Sequence, residues 1–400
     1  MKKIKVLLIV LSLLALLAIL LARLDRTTTT LSTSTTSLGD TLVYTYREFV
    51  QQHLREKIGN RTASIVVKPA GVLPDGRPVK AYLMTGFGGL QMEVLDLGGT
   101  VRTLSVPTDV GTFRDITVGF NTLTDYTTNL YFGALIGRYG NRISKGKFSI
   151  GGTDYSVSTN EGPNSLHGGV DGFNLRTWTV RVLPLRNKTI GIELALRSPD
   201  GDQGFPGNLD IRVNYLITED NTWRIEYSAQ TDKPTPCNLT QHIYFNLNGA
   251  GSGTVMDQQL RICADHYIPV DPKELLPTGE IAPVEATAFD FRKLRRIADP
   301  YDHNWCLDQK PVGTFALAAE ARGGGIAMEV WTDQPGIQFY DGSFMTDGMP
   351  GKDRPNCKHG GFALETQHWP DSPNHANFPS TILRPGETYS TVTEYRFRPL

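Results

Sequence analysis

Apolar and polar residues alternate along much of the chain after residue 63. The stretches 190–196, 209–217 and 223–229 each place an apolar side chain at every second position. Because successive side chains of a strand point to opposite faces, these stretches predict antiparallel sheets with one packed face. Two shorter alternating runs flank Gly151-Gly152, which predicts a hairpin turn. The sequence shows no internal repeat, so residues 63–400 are predicted to form one large antiparallel β-sandwich domain, an all-β fold.

The first residues of the chain follow a different pattern. Lys2, Lys3 and Lys5 precede an apolar run over residues 6–22 that only Ser12 interrupts. At 1.5 Å per residue a helix of this length spans about 26 Å, slightly less than a bilayer core of about 30 Å. The run predicts an N-terminal hydrophobic helix, and residues 1–26 are interpreted as a signal anchor or a cleaved signal peptide. Positive charge before the run predicts that the following domain lies on the non-cytoplasmic side.

Two short segments connect this run to the sandwich domain. Residues 27–40 are rich in Thr and Ser, which is typical of a flexible linker. Residues 41–62 carry apolar side chains at helical spacing and predict a short helical lead-in. We expect a chain that enters the secretory pathway and stays anchored in the membrane, with its main domain lumenal or extracellular. Secretion after cleavage of the signal is the alternative.

Three triplets have the acceptor sequence for N-glycosylation. They begin at Asn60, Asn187 and Asn238. The first two precede the domain or fall in a predicted turn, so both are expected to accept a glycan in a secretory lumen. Asn238 falls on the polar face of a predicted strand and is expected to stay bare.

Charge and cysteine content exclude several kinds of function. The net charge is −1, from 40 basic and 41 acidic residues, which argues against a nucleic-acid partner because such proteins usually present a basic face. The four cysteines are widely spaced and form no C-x-x-C pair, so no zinc site is predicted. We expect buried free thiols at the following positions: Cys237, Cys263, Cys306 and Cys357.

Two predicted strands carry polar side chains on one face. In CNLTQHIYFNL, residues 237–247, His242 and Tyr244 lie opposite an apolar face; in GFALETQHW, residues 361–369, Glu365 and Trp369 share a side. A sugar cleft requires such a face, because hydroxyls need paired donors and acceptors and an indole ring packs against C–H groups. Taken singly, an ordinary solvent-exposed sheet face explains each His or Glu about as well.

Two predicted loops are also rich in polar groups. GRYGNR, residues 137–142, includes Asn141 and Arg142, and NSLHGG, residues 164–169, includes His167. The glycines do not follow the strand–GxGxxG–helix spacing, so dinucleotide binding is rejected. A lone histidine in a turn is more often a structural hydrogen-bonding residue than a functional one.

Together these segments resemble a known family. GRYGNRI, NSLHGG, NLTQHIYFNL, TAFDF, YDHNWCL, TDQPGIQFYDGSF, FALETQHWPDSPNHANFPS and LRPGETY stand in the order seen in the aldose 1-epimerase (galactose mutarotase) family, over roughly residues 65–400. The resemblance implies the galactose mutarotase-like fold, with residues 63–400 as the catalytic domain. It implies an isomerase that interconverts the α and β anomers of free aldohexoses such as galactose and glucose, without cofactor or metal.

The resemblance also implies roles for individual residues. By position, His242 corresponds to the proton donor and Glu365 to the proton acceptor, on opposite sides of the sugar ring. Strand alternation adds Tyr244 and Trp369 as neighbours of the sugar. The residues expected to hold the sugar hydroxyls are Asn141, Arg142, His167, Asp302 and Gln338.

One motif departs from the family pattern. The family usually has Asn-His-Ser where this chain has Gln241-His242-Ile243. Both altered positions lie on the predicted core face, so altered packing or altered supporting hydrogen bonds are expected rather than lost activity.

Two other functions remain alternatives at the level of sequence. A hexose-6-phosphate 1-epimerase would need additional basic side chains around a phosphate. A catalytically silent cell-surface sugar-binding protein would not need a matched acid and base. The expected partners are a free monosaccharide and, if the N-terminal helix is uncleaved, a membrane; we expect a monomer or a weak dimer.

Overall fold

The computed structural model describes residues 51–58, 61–128, 130–298, 300–309 and 311–400. These belong to one compact unit, residues 48–400. The predicted signal segment 1–26, the linker 27–40 and the first part of the lead-in lie outside the described residues. None of the helices within the described ranges is long and apolar enough to span a bilayer.

Strands form nearly all of the regular structure in these ranges. In chain order they are β1 Gln51–Ile58, β2 Arg61–Val72, β3 Pro78–Thr85, β4 Gln91–Leu95, β5 Val101–Pro107, β6 Phe113–Asp115, β7 Thr117–Val118, β8 Ala134–Ile136, β9 Arg142–Ile143, β10 Lys147–Ile150, β11 Thr153–Ser156, β12 Ser165–Leu166, β13 Thr179–Val182, β14 Ile190–Ser198, β15 Leu209–Ile217, β16 Thr222–Thr231, β17 Thr235–Pro236, β18 Thr240–His242, β19 Tyr244–Phe245, β20 Gln259–Ile262, β21 His266–Ile268, β22 Ala282–Pro283, β23 Arg295–Arg296, β24 Asp302–Cys306, β25 Ala316–Gly323, β26 Ile326–Thr332, β27 Gly336–Tyr340, β28 Ala363–Gln367, β29 Ile382–Leu383 and β30 Tyr389–Pro399. The described helices are short 3-10 turns at Thr124–Thr127, Ser144–Gly146, Phe173–Leu175, Asp202–Gly204 and Ser372–Asn374.

The strands form three large sheets and several two-stranded pairs. The six-stranded sheet has the order β1-β2-β3-β4-β5-β6, the nine-stranded sheet β13-β14-β15-β16-β30-β26-β25-β20-β23, and the five-stranded sheet β22-β21-β24-β27-β28. Their ladders are antiparallel. The all-β, antiparallel prediction is confirmed.

Local predictions from alternation also hold. The stretches 209–217 and 223–229 lie in β15 and β16, and β15 buries every second side chain. Gly151-Gly152 joins β10 to β11 as a two-residue turn, with φ of 58° and 83°. Positive φ at both positions is the geometry of a type I′ hairpin, which glycine adopts without steric cost.

The helical lead-in is wrong where it can be compared with the structure. Residues 51–58 form β1, which pairs with β2 from Gln51 opposite Val67 to Ile58 opposite Arg61. Pairing with the edge of the six-stranded sheet satisfies backbone groups of this segment, and this tertiary contact outweighs the helical spacing of its apolar residues. Residues 41–50 lie outside the described residues.

One continuous core joins the three sheets. Its buried side chains come from the six-stranded sheet, such as Met84, from the nine-stranded sheet, such as Trp223, and from the five-stranded sheet, such as Phe339. Ile243 and Phe245 of the segment around β18 and β19 belong to the same core. Because their side chains point into the core, the intervening residues of this segment face the opposite way.

Candidate active site

A cavity of about 330 Å³, lined by both polar and apolar side chains, lies on the side of these strands that faces away from the core. Its walls come from the ends of the five-stranded sheet, from the segment around β18 and β19, and from the loops around residues 130, 141, 161, 167, 275 and 345. The polar and aromatic lining residues are Tyr131, Phe132, Asn141, Arg142, Glu161, His167, His242, Tyr244, Asp302, Tyr340, Phe344 and Glu365.

His242 and Glu365 meet in the floor of the cavity. His242 ends β18 and Glu365 is central in β28, and these two strands lie side by side. Imidazole Nε2 and carboxylate Oε1 are 3.5 Å apart, and the two residues are 4% and 2% exposed. The core side chains Ile243 and Leu364 follow and precede them on the opposite faces. Strand alternation over an apolar core therefore aims both groups into the same cavity.

An ion-pair network forms one wall of the cavity. The Arg142 guanidinium donates to both carboxylate oxygens of Glu161, at 2.7 and 2.8 Å, and to Asp302 at 3.3 Å. Asp302 also accepts a hydrogen bond of 2.7 Å from the Gln338 amide. Two carboxylates thus engage the one arginine, and such charge-assisted, bidentate contacts fix its planar group.

Asn141 and His167 hold each other in strained backbone conformations. Their φ angles are 65° and 51°, in the left-handed region. The Asn141 N–H donates to His167 Nδ1, and the His167 N–H donates to the Asn141 carbonyl, both at 3.1 Å. Since Nδ1 accepts a hydrogen bond, the proton of the neutral ring lies on Nε2. His167 therefore presents a hydrogen-bond donor.

Aromatic rings pack around the catalytic candidates. Tyr244 stacks on His242 with ring centroids 4.9 Å apart, and Tyr131 lies nearly parallel to the same ring at 5.8 Å. Tyr131 also contacts His167, at 4.6 Å. Burial raises the pKa of the Tyr131 hydroxyl to about 12, with a further contribution from nearby Glu161. This phenol is thus a neutral donor at physiological pH.

Burial shifts the pKa values of His242 and Glu365, the two proton-transfer candidates, in opposite directions. It lowers the pKa of His242 to about 4, and bonding to its own backbone and the charge of Asp302 only partly oppose this. It raises the pKa of Glu365 well above its ordinary value; Asp302 adds to the rise and Arg142 opposes it. Burial of both side chains thus favours the pair in its neutral forms, because both charged forms lose hydration there.

His167, His242 and Glu365 bring three metal-ligating atoms within 4.8 Å of one another. A metal would need an unprotonated nitrogen from each histidine. Because His167 Nδ1 accepts the Asn141 N–H, its Nε2 carries the proton and is no ligand in this arrangement. The geometry suits a donor to a hydroxyl group better than a metal centre.

The structure brings most of the predicted site residues together. Those lining the cavity are Asn141, Arg142, His167, His242, Tyr244, Asp302 and Glu365. Gln338 lies just behind the lining, between Asp302 and Glu365: it pairs with Glu365 across β27 and β28.

Trp369 is not at the cavity. Its indole N–H donates to the Pro335 carbonyl at 3.0 Å, and its ring packs edge-on against Phe378. The strand β28 ends at Gln367, so the alternation that placed Trp369 beside Glu365 does not extend that far. The structure thus does not bring Trp369 to the lining of the cavity that holds Glu365, and the indole platform for the sugar stays a prediction.

Asn238 also departs from the predicted strand face. It is fully buried, its amide donates to the carbonyls of Gly140 and His368, and its oxygen accepts the His368 N–H. The predicted long strand is interrupted between β17 and β18, and this residue bridges two loops instead of lining the cavity.

Sequence analysis missed several cavity residues, among them Glu161, Tyr131 and Phe344. Glu161 anchors Arg142, Tyr131 packs on both histidines, and Phe344 forms part of the rim. Their loops show no alternation, and nothing in the sequence says that they approach β18.

Gln241 and Ile243, the two departures from the family motif, both lie on the face that points away from the cavity. Ile243 is fully buried in the core, and the Gln241 amide donates to the Gly133 carbonyl.

Arg138 and Arg142, which share one loop motif, have different roles. Arg138 is 2% exposed and lies outside the cavity; its guanidinium donates to four backbone carbonyls and two hydroxyls. Burial lowers its pKa to about 10, so it stays charged at neutral pH. Arg138 joins the loops around Ser198, Pro206 and Thr235, and it is a structural residue.

The fold and the cavity define a class of protein. An antiparallel β-sandwich whose polar cavity holds a buried imidazole–carboxylate pair, a fixed N–H donor and an arginine network is suited to an enzyme that moves protons on a polyhydroxylated molecule.

Comparison with known proteins gives the family. The family model described as aldose 1-epimerase matches residues 80–396. A galactose mutarotase of Sus scrofa is 41% identical over 337 residues, covering 82% of this chain and 96% of the relative. An aldose 1-epimerase of Escherichia coli (strain K12) is 37% identical over 344 residues, covering 81% and 96%. The chain belongs to the aldose 1-epimerase family.

A solved structure supports the same fold. The crystal structure of an aldose epimerase homologue from C. elegans superposes with a TM-score of 0.72 at 29% identity, covering 79% of this chain and 98% of that one. The described domain thus has the galactose mutarotase-like fold, as the sequence resemblance implied.

Arg138→Met is expected to cost about 3 kcal/mol of unfolding free energy, because it leaves buried carbonyls without their donors. Urea unfolding followed by tryptophan fluorescence measures the loss. The substitution does not touch the cavity, so turnover per folded molecule should stay near the wild-type value. A variant of unchanged stability, or one that is stable but inactive, would contradict the structural assignment.

Proposed function

We propose that this chain interconverts the α and β anomers of free aldoses, with Glu365 as the base and His242 as the acid. The chain is an isomerase of the aldose 1-epimerase family. The observation that carries the residue assignment is the direct contact of the two groups, 3.5 Å apart, in the floor of a polar cavity.

The spacing of the pair matches the reaction at the anomeric carbon. Ring opening removes a proton from the hydroxyl on C1 and delivers one to the ring oxygen, and both oxygens are bonded to C1. Two proton-transfer atoms 3.5 Å apart leave no room for a ring between them, so the opposite-sided arrangement inferred from sequence is replaced by one in which the sugar approaches both from the cavity. Neighbouring acid and base can then serve neighbouring oxygens.

The pKa shifts of the pair favour ring opening. In the resting site the proton of the pair lies on Glu365, and its transfer to His242 gives the carboxylate and imidazolium that begin ring opening. Afterwards Glu365 holds the proton from the C1 hydroxyl and His242 has given its proton to the ring oxygen. The product state contains the two neutral groups that burial favours. Rotation about the C1–C2 bond and reversal of both transfers close the ring on the other face. Each correctly placed group contributes roughly 10²–10⁴-fold.

The rest of the cavity suits a neutral polyol. His167 offers a fixed N–H, Asp302 and Glu161 offer acceptor oxygens, and Arg142 is the single Lys or Arg among the described lining residues. Its guanidinium is already engaged by both carboxylates. A phosphate would meet repulsion from these acids and from Glu365 without a free cation, which disfavours the hexose-6-phosphate alternative.

The buried pair also disfavours a silent sugar-binding protein. Binding of hydroxyls needs donors and acceptors, which neutral side chains supply without the cost of desolvating ionisable groups. A carboxylate and an imidazole kept together in a dry site serve proton transfer, and such perturbed groups are typical of functional sites.

Glu365→Gln should lower kcat at least about 100-fold, because an amide cannot accept the C1 hydroxyl proton. Polarimetry of freshly dissolved α-D-galactose and α-D-glucose, corrected for spontaneous mutarotation, measures turnover. His242→Asn should lose activity to a similar extent. Near-wild-type turnover by Glu365→Gln would reject the assignment of the base.

The same variant carries its own folding control. Because the folded pKa of Glu365 is raised, wild-type stability falls as pH rises through that pKa, whereas glutamine does not titrate. Glu365→Gln should therefore melt above the wild type by about 2 °C or more at pH 8, and the difference should shrink towards pH about 4.5. A variant that melts lower at pH 8 would be misfolded rather than informative about chemistry.

As the pH is lowered, kcat/KM should stay high until an unusually acid pH is reached. The active free enzyme holds one proton on the pair, and a second proton enters when His242 is protonated with a pKa of about 4. The acid limb of the profile is thus expected near pH 4, well below the ordinary imidazole value of about 6.5. Circular dichroism at each pH separates loss of activity from unfolding. An acid limb near 6.5 in folded protein would contradict the buried geometry.

We propose further that residues 1–26 direct the chain into the secretory pathway, where they anchor it in the membrane with the sandwich domain lumenal or extracellular. The support is the lysine-flanked apolar run and the Thr/Ser-rich linker that follows. The exposure of two glycosylation sequons is compatible with this topology. Asn187 lies exposed in the turn between β13 and β14, at φ 47°, whereas Asn238 is fully buried.

Full-length chain expressed in a host that N-glycosylates lumenal proteins should carry a glycan on Asn187 and on Asn60 but none on Asn238. Peptide:N-glycosidase F should reduce its apparent mass. Asn187→Gln and Asn60→Gln should each make this decrease smaller by the mass of one glycan. Asn238→Gln serves as the matched control and should leave the glycan mass unaltered. Unglycosylated full-length chain, or a glycan at Asn238 in active protein, would contradict the topology.

A further inference from the structure

The orientation of the His242 ring depends on packing rather than on a hydrogen-bonded partner. Among the described residues, only Glu365 meets one of its ring nitrogens, at 3.5 Å, and Nδ1 is buried without a partner from another residue. Tyr244 and Tyr131 lie nearly parallel to the imidazole, with interplanar angles of 25° and 28°. The residues that hold these two tyrosines in place therefore also determine the orientation of the His242 ring.

Tyr131 is held in an unfavourable backbone conformation. Its φ is 61°, which a bulky residue rarely adopts unless its surroundings impose it. The Ala134 N–H donates to its carbonyl at 3.1 Å, and Asn160 donates to its hydroxyl at 3.2 Å. Asn160 also bonds the backbone of Leu166 on the loop that carries His167. The ring of Tyr131 is thus fixed at both ends.

Gly133 is the backbone anchor of this segment. Its N–H donates to the His242 carbonyl at 2.9 Å, and its carbonyl accepts the Val101 N–H at 2.8 Å. The same carbonyl accepts a hydrogen bond from the Gln241 side-chain amide. Gly133 has φ 70°, and a side chain there would collide with the Val101 carbonyl. The position of the Gly133 carbonyl therefore determines the position of the segment 131–133.

Gln241 acts from the side remote from the sugar. It is 2% exposed and precedes His242 in β18, so its side chain points away from the cavity. Its amide also contacts the hydroxyl of Tyr215, which donates to the Gly99 carbonyl at 3.0 Å. Gln241 thus connects the core to the loop that covers the proton donor.

We propose that Gln241 is a positioning residue for catalysis: by binding the Gly133 carbonyl it holds Tyr131 against His242, and so fixes the direction in which the imidazole presents its proton. This rests on the proposed role of His242 as the acid. It assigns to the Gln241–Gly133–Tyr131 contact a task that burial and folding alone do not require.

Two variants test the contact. Gln241→Met keeps the length and apolar bulk of the side chain and removes the amide; Tyr131→Ala removes the ring. Displacement of reacting groups by about 1 Å costs up to 10²-fold in rate, and we expect about a tenfold loss of kcat in Gln241→Met with KM for galactose within about twofold. Tyr131→Ala should lower kcat at least as far.

The double variant decides whether the two residues act as one unit. If Gln241 works through Tyr131, the kcat of Gln241→Met/Tyr131→Ala should equal that of Tyr131→Ala within about twofold. Multiplicative losses, or wild-type kcat in Gln241→Met, would overturn the proposal. Should Gln241→Met fail to fold, Gln241→Leu, which also lacks the amide, is judged by the same criteria.

Gln309→Met is the matched control. Gln309 is also buried, and its amide donates to the carbonyls of Thr332 and Gln334 at 2.9 Å, outside the cavity. It should lose thermal stability like Gln241→Met while keeping wild-type kcat, which separates positioning from stability. The proposed function is tested separately, because its failure would appear as absent turnover in the wild type or full turnover in Glu365→Gln.

Discussion

Desolvation of His242 and Glu365 is the constraint on which the rest of the site depends. Two ionisable groups in contact, each almost without solvent exposure, are stable together only because burial keeps them neutral. In the proposed mechanism, the cost of their charged forms is also what makes the state after proton transfer accessible. The sheets achieve this burial by placing β18 and β28 side by side, with Ile243 and Leu364 packed in the core behind them.

Strained backbone conformations around the cavity also help to hold His242 and Glu365 in their buried site. Tyr131, Asn141 and His167 all have left-handed backbones, at a typical cost of order 1–3 kcal/mol each for non-glycine residues. Reciprocal hydrogen bonds between Asn141 and His167 hold two of them, and the bonds to Gly133 and Asn160 hold the third. The rigid sandwich thus supports irregular loops whose side chains converge on β18, and those loops fix the tautomer of one histidine and the orientation of the other.

The negative charge of Glu161 and Asp302 determines which class of ligand the cavity can bind. Glu161 and Asp302 occupy the Arg142 guanidinium, so the arginine organises acceptors rather than attracting an anion. A ligand rich in hydroxyl groups can use these oxygens and the His167 N–H without bringing charge into a dry site. Proton transfer and substrate class therefore follow from one arrangement.

The sequence by itself determined the all-β architecture, the two strand faces and the pair His242 and Glu365, because alternation is a local property and the ordered motifs resemble one family. It did not determine where alternation stops: Trp369 lies past the end of β28, and Asn238 falls in a break between strands. Nor could it predict β1, whose pairing with β2 outweighs helical spacing. The tertiary structure alone brought Tyr131, Glu161 and Gln241 to their roles. The Gln241–Gly133 contact, for example, joins residues 108 positions apart along the chain, and only the packing of sheets and loops decides which side chains meet.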